Sequence, residues 1–548
     1  MEIELSEIQD THAKNILQKF KSNKIVLDTS FMGLGKSIIF IWTMKMLNVK
    51  NIVLLCPLSM VSDWENYKTI YNLNIVLICS YEYFRGSSTN YKVKLKHNLL
   101  FRHSDGTFEV TPEFQQLVEE GVVICCDESY KLKNICDLQK AIMTCNQYVK
   151  YRHSIVTDIE EVPFSGFYCI STLPFDKKEQ CINFCYTSGI ITQLELVSKD
   201  GTNLGLKQLY DFCLKLNSEK TKLIMGVVDI NYKNAFQIAY QLCIEVLFPS
   251  ISSFIVLQNI DLNKKQTIFN AYINIPPIGM KLINITNDIV HNNEKNIGIE
   301  EKEEFDLITD GIIECNPLEN RKGIIHGLIT SQTIKSYYMY APMAKQCLMQ
   351  VENCKVVIFV DYKESIYILN RELIEFNPLI ITGSDSIESR VEKKNLFQQP
   401  NLDYRVIITM SQVSSMGVEF DDKYGQFPRI GFEITGYVMS NYVQTPGRIC
   451  RKLTLSKSLF FFLKILTNDD DIELSIDRNI NEKSKVFYET LRNNGIISPN
   501  NFQIIYHPNK YNINDLFNFE VQEVKEKPKI VSTKGIVITK SSLKKSFI

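Results

Sequence analysis

"TSFMGLGKSIIF", Thr29 to Phe40, follows the apolar run "KIVLD" (Lys24–Asp28) and leads into a further apolar stretch. Its two glycines, Gly33 and Gly35, lack the Cβ that would stop the backbone folding tightly and aiming its N–H groups at phosphate oxygens. A strand running into such a turn, with a helix behind it, is how a phosphate-binding loop is built. Lys36 would then reach the β and γ phosphates of a nucleotide, and Ser37 would coordinate Mg²⁺ at the helix start. The complete pattern G-x-x-x-x-G-K-[ST] asks for glycine at position 30, where this chain has Ser30. A glycine turn followed by an unrelated Lys-Ser pair stays open as the alternative, so the decision rests on the surrounding sequence.

Short runs rich in Val, Ile and Leu alternate with longer amphipathic stretches from residue 1 to about 186: "KIVLD", "NIVLLCP", "IVLICS", "GVVICCDE" and "FYCISTL". Parallel strands covered on both faces by helices have this composition, and the alternation predicts an α/β, doubly wound domain. The same rhythm returns in "KVVIFVDY", "PLIITG", "YRVIITMS" and "RIGFEITG", between Lys355 and Gly436, and predicts a second domain of the same kind. We therefore expect one lobe over residues 1–186, a helical or mixed insertion over 187–335, a second lobe over 336–470 and an extension over 471–548. The extension ends in a tail from Val521 with seven lysines against two glutamates, expected to be plain chain, with contact to phosphates as the alternative.

A chain of 548 residues that is 45% hydrophobic and 22% charged is long enough for several buried cores. The net charge of −1 neither supports nor excludes a polyanionic partner, because a basic groove can exist inside a neutral protein. Fifteen cysteines without a C-x-x-C pair read as reduced, buried thiols, with no structural metal expected. The polar, acidic start "MEIELSEIQDTHAKN" is unlike a signal peptide, and no apolar run reaches the length of a membrane span. A soluble, cytoplasmic protein without a membrane partner is expected.

A nucleotide site needs hard oxygen ligands for its metal near the phosphates. "GVVICCDESYKLKN" supplies them, since the apolar run leads into Asp127, a metal holder, and Glu128, which would polarise an attacking water. Taken in order, "FMGLGKS", "LLCPLSMVSDWENYK", "ICSYEYFRG" and "ICCDESYKLKN" resemble the first four motifs of superfamily 2 helicases. Their wording is most similar to the Snf-type DNA-dependent ATPases. "NYVQTPGRICRKL" resembles the last motif, Q-x-x-G-R-x-x-R, and the stretches from Lys355 to Arg429 resemble motifs four and five. "GVEFDDKYGQFPR" looks more like helicases of large cytoplasmic DNA viruses and related cytoplasmic DNA elements. Seven motifs in the correct order cover somewhat over half of the chain.

The resemblance implies two RecA-like parallel-sheet lobes and ATP hydrolysis coupled to translocation on, or unwinding of, nucleic acid in viral-type transcription or replication. DNA is the expected track and RNA the alternative. Partners would be transcription or replication proteins, and the location the cytoplasm, a virion or a viral factory. By the same resemblance Gln9 reads adenine, and Pro57, Ser59 and Trp64 lie near a nucleic-acid strand, on a surface that "SYEYF" (Ser80–Phe84) continues. Ser171 and Thr172 link hydrolysis to lobe movement, although "STLPF" departs from the family's commoner Gly-Thr-Pro. In the second lobe Ser415 faces nucleic acid, and Gly417, Glu419 and Gln444 face ATP. Arg448 and Arg451 act as arginine fingers, their spacing of three placing both on one helix face. Two rivals remain: a non-hydrolysing assembly factor that keeps the fold, and a phosphate-loop kinase or GTPase of another family. A second lobe with the two arginines speaks against the latter.

Overall fold

The computed structural model describes residues 3–30, 33–134, 136–155, 163–172, 174–198, 204–226, 233–255, 266–290, 298–309, 324–414, 418–434, 442, 444–451, 454–465, 478–483, 485–486, 501–506, 513, 516, 531–533 and 536–540. Two compact units result, one of residues 1–259 with 482–496 and one of residues 260–481 with 497–548. Both are built of helices around parallel sheets, an α/β architecture compatible with two RecA-like lobes.

The strands of the first unit are β1 (Ile25–Asp28), β2 (Asn51–Cys56), β3 (Ile75–Ser80), β4 (Val93–Lys94), β5 (Leu100–Arg102), β6 (Phe108–Val110), β7 (Val122–Asp127), β8 (Gly166–Ile170) and β9 (Ser252–Ser253). Six of them form a parallel sheet in the order β3-β2-β7-β8-β1-β9. β1, β2, β7 and β8 are buried along their whole length, as their unbroken apolar composition requires when both faces carry helices. Register aligns their carboxyl ends: Ile170 faces both Asp28 and Asp127 across the sheet, and Cys56 faces Ser80. The segments expected to carry chemistry therefore leave the sheet along one edge, where open α/β sheets bind ligands.

Residues 187–335 are divided between the two units at residue 259. Their described residues up to 255 are mostly helical and share the core of the first sheet through Leu206, Leu209, Ala239 and Leu247. They include β9, which pairs with β1. The part after 259 contributes β10 (Gln266–Ile273) to the second sheet. β10 pairs in parallel over its full length with β15 (Ser458–Ile465), strands almost two hundred residues apart in sequence.

The other strands of the second unit are β11 (Lys355–Val360), β12 (Leu379–Ile381), β13 (Val406–Met410), β14 (Arg429–Ile434), β16 (Asn501–Tyr506), β17 (Val531–Thr533) and β18 (Ile536–Lys540). Their order is β12-β13-β11-β14-β15-β10-β16-β18-β17, parallel except for the last two pairings. Phe461 of β15 stacks between Phe269 of β10 and Phe432 of β14, with ring centroids 5.3 and 5.5 Å away, so three strands share one aromatic ladder. β18 falls within the lysine-rich tail, which is thus not plain chain throughout. It continues a sheet whose other strands supply the pairing partners that the tail alone lacks.

Among the described residues every cysteine is a free thiol, and all but Cys136 are buried. No described helix is long and apolar enough to cross a membrane.

Candidate active site

The Thr29–Phe40 stretch leaves the end of β1 and enters the helix Lys36–Met46. Gly33 and Gly35 have φ of +74° and +88°, the left-handed region that glycine occupies without strain. Lys36 Nζ donates to the backbone oxygen of Ser30 and to Thr172 Oγ1, both at 2.9 Å, so its ammonium is held across the loop. Ser37 follows in the first turn and is half-buried.

Ser30, the departure from the usual pattern, has no positive φ and so does not need glycine. Its hydroxyl accepts the Ile255 N–H at 3.0 Å and lies 3.1 Å from His12 Nε2, while its own N–H donates to Asp28 Oδ1 at 3.0 Å. The extra side chain is thus a tie between loop and floor. His12 continues the network to Ser253 Oγ at 3.1 Å and to Asp28 Oδ1 at 3.3 Å. Burial alone would raise the Asp28 carboxyl, but His12 and Lys36 outweigh it and hold the group below the usual carboxylate range.

Gln9 lies on the helix Glu7–Asn23, three residues before His12 and so on the same face. Its Nε2 donates to the Leu34 oxygen at 3.0 Å. A Cβ built on Gly35 would come within 2.4 Å of Gln9 Nε2. Gly35→Ala therefore combines a left-handed backbone, costing about 1–2 kcal/mol for a non-glycine residue, with displacement of Gln9. The expected result is nucleotide affinity at least about tenfold weaker, measured by equilibrium titration with a fluorescent ATP analogue.

Asp127 ends β7 and is 3% exposed. Its Oδ1 accepts the Glu128 N–H at 3.0 Å and its Oδ2 accepts the Trp64 indole N–H at 2.8 Å. Glu128 is buried and held at φ +55°, a left-handed conformation uncommon outside glycine and often found where strain serves function. Burial, then the neighbouring Glu128, push Asp127 up to about 7 against the opposing pull of Trp64 and Lys36. Two adjacent buried carboxylates beside a phosphate loop are a donor set suited to a hard cation, and Mg²⁺ on a nucleotide needs only one or two carboxylates besides phosphate oxygens. Asp127 and Ser37 fit that role. Among the described residues no cluster of three or more His, Cys, Asp or Glu is arranged for a metal.

The sign of the Asp127 shift gives a testable consequence. Its folded-state value, about 7, lies above the ordinary 3.8, so the metal-free fold loses stability as pH rises from about 4 through 7. Adding Mg²⁺ with ADP should therefore raise the thermal midpoint more at pH 8 than at pH 6, and Asp127→Asn should remove that difference.

Trp64, expected beside a nucleic-acid strand, is fully buried, with its polar atom turned to Asp127. Its position in the helix Val61–Tyr71 faces the sheet rather than solvent. Pro57 is buried and Ser59 half-buried in the short turn Leu58–Met60, where Leu58 is 62% exposed. Ser171 is buried, its N–H donates to the Asp28 oxygen at 3.1 Å, and its hydroxyl finds no hydrogen-bond partner among the described residues. Thr172 is the member of that pair that touches Lys36.

In the second unit the arginines do not share a helix face. The helix there is only Pro446–Ile449, Cys450 is extended, and Arg451 lies beyond it, because Pro446 can start a helix but the chain leaves it at once to approach β15. Arg448 and Gln444 are buried. Arg451 pairs with Glu419 at 2.5 Å. Burial would raise the Glu419 carboxyl, but Arg451 and Lys423 hold it below its usual range. Ser415 and Gly417 lie outside the described residues. His12 and Ser253 were missed as site residues, and only the three-residue spacing of His12 from Gln9 signalled either; Tyr81, within "SYEYF", was expected on the polymer surface and is instead buried, its hydroxyl donating to the Asp127 oxygen.

No family model matches the chain. A protein of Acanthamoeba polyphaga mimivirus, provisionally named an ATP-dependent RNA helicase, is 25% identical over 148 residues. The match covers 26% of this chain and 27% of the mimivirus protein, so the chain spans about a quarter of that relative's length. At that level the similarity supports a helicase-type ATPase.

Proposed function

We propose that the chain is a superfamily 2, Snf-like ATPase that hydrolyses ATP in response to nucleic acid and uses it to translocate on or unwind DNA. The observation that carries this reading is the convergence of Gln9, Lys36, Thr172, Asp127 and Glu128 on one carboxyl edge of the first sheet. Glycine turns alone do not produce it, because those residues come from four separate segments.

In this function Gly33 and Gly35 let backbone N–H groups approach the phosphates, and Lys36 neutralises charge on the β and γ groups. Gln9, fixed against Leu34, orients the base. Asp127 and Ser37 would hold Mg²⁺, which when bound would supply charge neutralisation at the phosphate oxygens. Glu128 orients the water and accepts its proton. Gln444, Arg448 and Arg451 are assigned to the nucleotide, Pro57 and Ser59 to the polymer, and the Ser171–Thr172 segment to coupling through Lys36. The mimivirus relative's name favours RNA as the second choice of track.

Steady-state ATP turnover by the purified chain, alone and with double-stranded DNA, single-stranded DNA or RNA, tests the proposal. Strong stimulation by duplex DNA supports it; stimulation by RNA alone moves the track to RNA. Absence of turnover with every polymer sinks it and leaves an assembly factor that keeps the fold.

A further inference from the structure

Two aromatic residues, from the segments "LLCPLSMVSDWENYK" and "ICSYEYFRG" that the resemblance assigns to the polymer surface, meet on one carboxylate residue. Trp64 belongs to the helix Val61–Tyr71, reached from β2 through Pro57 and the turn Leu58–Met60. Tyr81 opens the helix Tyr81–Arg85 directly after β3, the neighbour of β2. The Trp64 indole N–H donates to Asp127 Oδ2 at 2.8 Å, and the Tyr81 hydroxyl donates to the Asp127 backbone oxygen at 2.6 Å. Their exposures are 0% and 2%.

Packing does not explain the Tyr81 contact, since phenylalanine would fill nearly the same space, and the buried Trp64 indole directs its single polar atom at Asp127. Each ring gives its one donor to Asp127. Trp64 also packs edge-on against Phe40, ring centroids 5.7 Å apart, on the helix that begins at Lys36. It therefore touches both halves of the nucleotide site while sitting six residues beyond the exposed Leu58.

We propose that Trp64 and Tyr81 are positioning residues that couple the polymer-facing segments Pro57–Met60 and Ser80–Arg85 to Asp127, so that gripping nucleic acid there reorients the metal-holding carboxylate and sets the rate of hydrolysis. The inference rests on the function proposed above. Hydrogen bonds weaken steeply with misalignment, so a small displacement of either helix is enough to change how Asp127 is held. Reaction rates are sensitive to misplacements of that size.

The test uses the full chain and the variants Tyr81→Phe, which keeps the ring and deletes its donor, and Trp64→Phe, which deletes the donor and replaces the indole by a smaller phenyl ring. Stimulation, the ratio of turnover with and without polymer, should fall about tenfold in Trp64→Phe, the change expected when a charged acceptor loses a donor. Tyr81→Phe should lower it about threefold, since its acceptor is a neutral carbonyl. Polymer affinity, measured separately by anisotropy, should stay within about twofold of wild type, since neither ring reaches the surface.

A spectroscopic arm does not depend on turnover. The chain has two tryptophans, Trp42 and Trp64, so Trp42→Phe leaves Trp64 as the sole indole emitter. Its emission should change on adding Mg²⁺ with a non-hydrolysable ATP analogue, and again on adding the stimulating polymer. A merely structural indole would ignore the polymer. Should Trp64→Phe fail to fold, Tyr81→Phe and the emission decide. A stimulated wild type whose two variants are stimulated equally, or whose emission ignores the polymer, overturns the coupling and leaves the ATPase standing. A wild type that no polymer stimulates overturns the function first and the coupling with it.

Discussion

Lys36→Ala lowers ATP turnover by about a hundredfold or more, the loss seen when one preorganised electrostatic group at a reacting centre is removed. Lys36 is fixed before nucleotide arrives, because the Ser30 oxygen and Thr172 Oγ1 each accept from its ammonium at 2.9 Å. A charge held in place needs no rearrangement when negative charge develops on the transferring phosphoryl group. The fold should survive, since the helix Lys36–Met46 is anchored by buried Ile39, Phe40 and Ile41 rather than by the lysine. Turnover of the variant is compared with wild type under saturating ATP and polymer, with circular dichroism as the fold control. Retention of more than about a tenth of wild-type turnover would rule out a phosphate-binding role for Lys36.

Arg429→Ala destabilises the second unit by about 3–5 kcal/mol, the range for breaking a buried hydrogen-bond network and emptying a large buried side-chain site. Arg429 is fully buried and stitches three segments: Nε donates to the Phe420 oxygen at 2.7 Å, one terminal nitrogen to the Phe427 oxygen at 2.9 Å, and the other to Gln398 Oε1 at 3.2 Å. Its guanidinium lies 5.1 Å from the Phe397 ring centroid. Asp422 closes the intervening turn by accepting the N–H groups of Tyr424 and Phe427 at 2.9 and 3.0 Å. Arg429→Lys should recover little of the loss, because an ammonium cannot present donors in the three fixed directions of a planar guanidinium. Burial and the adjacent Arg429 already depress Lys355 to about 8, so a second buried ammonium there would meet the same penalty. Hydrogen exchange of the Ile430–Phe432 amides in the intact chain reads the effect. Unchanged protection in Arg429→Ala would show that the clasp contributes nothing.

The alternative wording "GVEFDDKYGQFPR" thus has a structural account over its second half. Asp422 and Arg429 hold the connection between Phe420 and β14 in one shape, and that connection carries Glu419 to Arg451. A resemblance in this stretch reports the clasp as well as any ligand contact.

Local order and residue chemistry were legible in the sequence. Unbroken apolar runs marked β1, β2, β7, β8, β11 and β13 because strands covered on both faces admit little else. Glycines at 33 and 35 marked the loop because only they take positive φ there without strain. Order along the chain set Lys36, Thr172, Asp127 and Glu128 as candidates for one edge, since parallel strands share a carboxyl end. What the sequence concealed is partnership across distance. β10 reads as one apolar stretch in an irregular region, and only pairing with β15 makes it an inner strand. Trp64 was expected beside a nucleic-acid strand by resemblance alone, and a motif does not say which neighbour a helix face meets; the fold buries it against Asp127. Arg448 and Arg451 looked like one face because their spacing presumes a helix, which the chain leaves at Cys450. Chemistry and order are local properties written residue by residue; which donor meets which acceptor depends on how distant segments close-pack, and that was decided only in the folded chain.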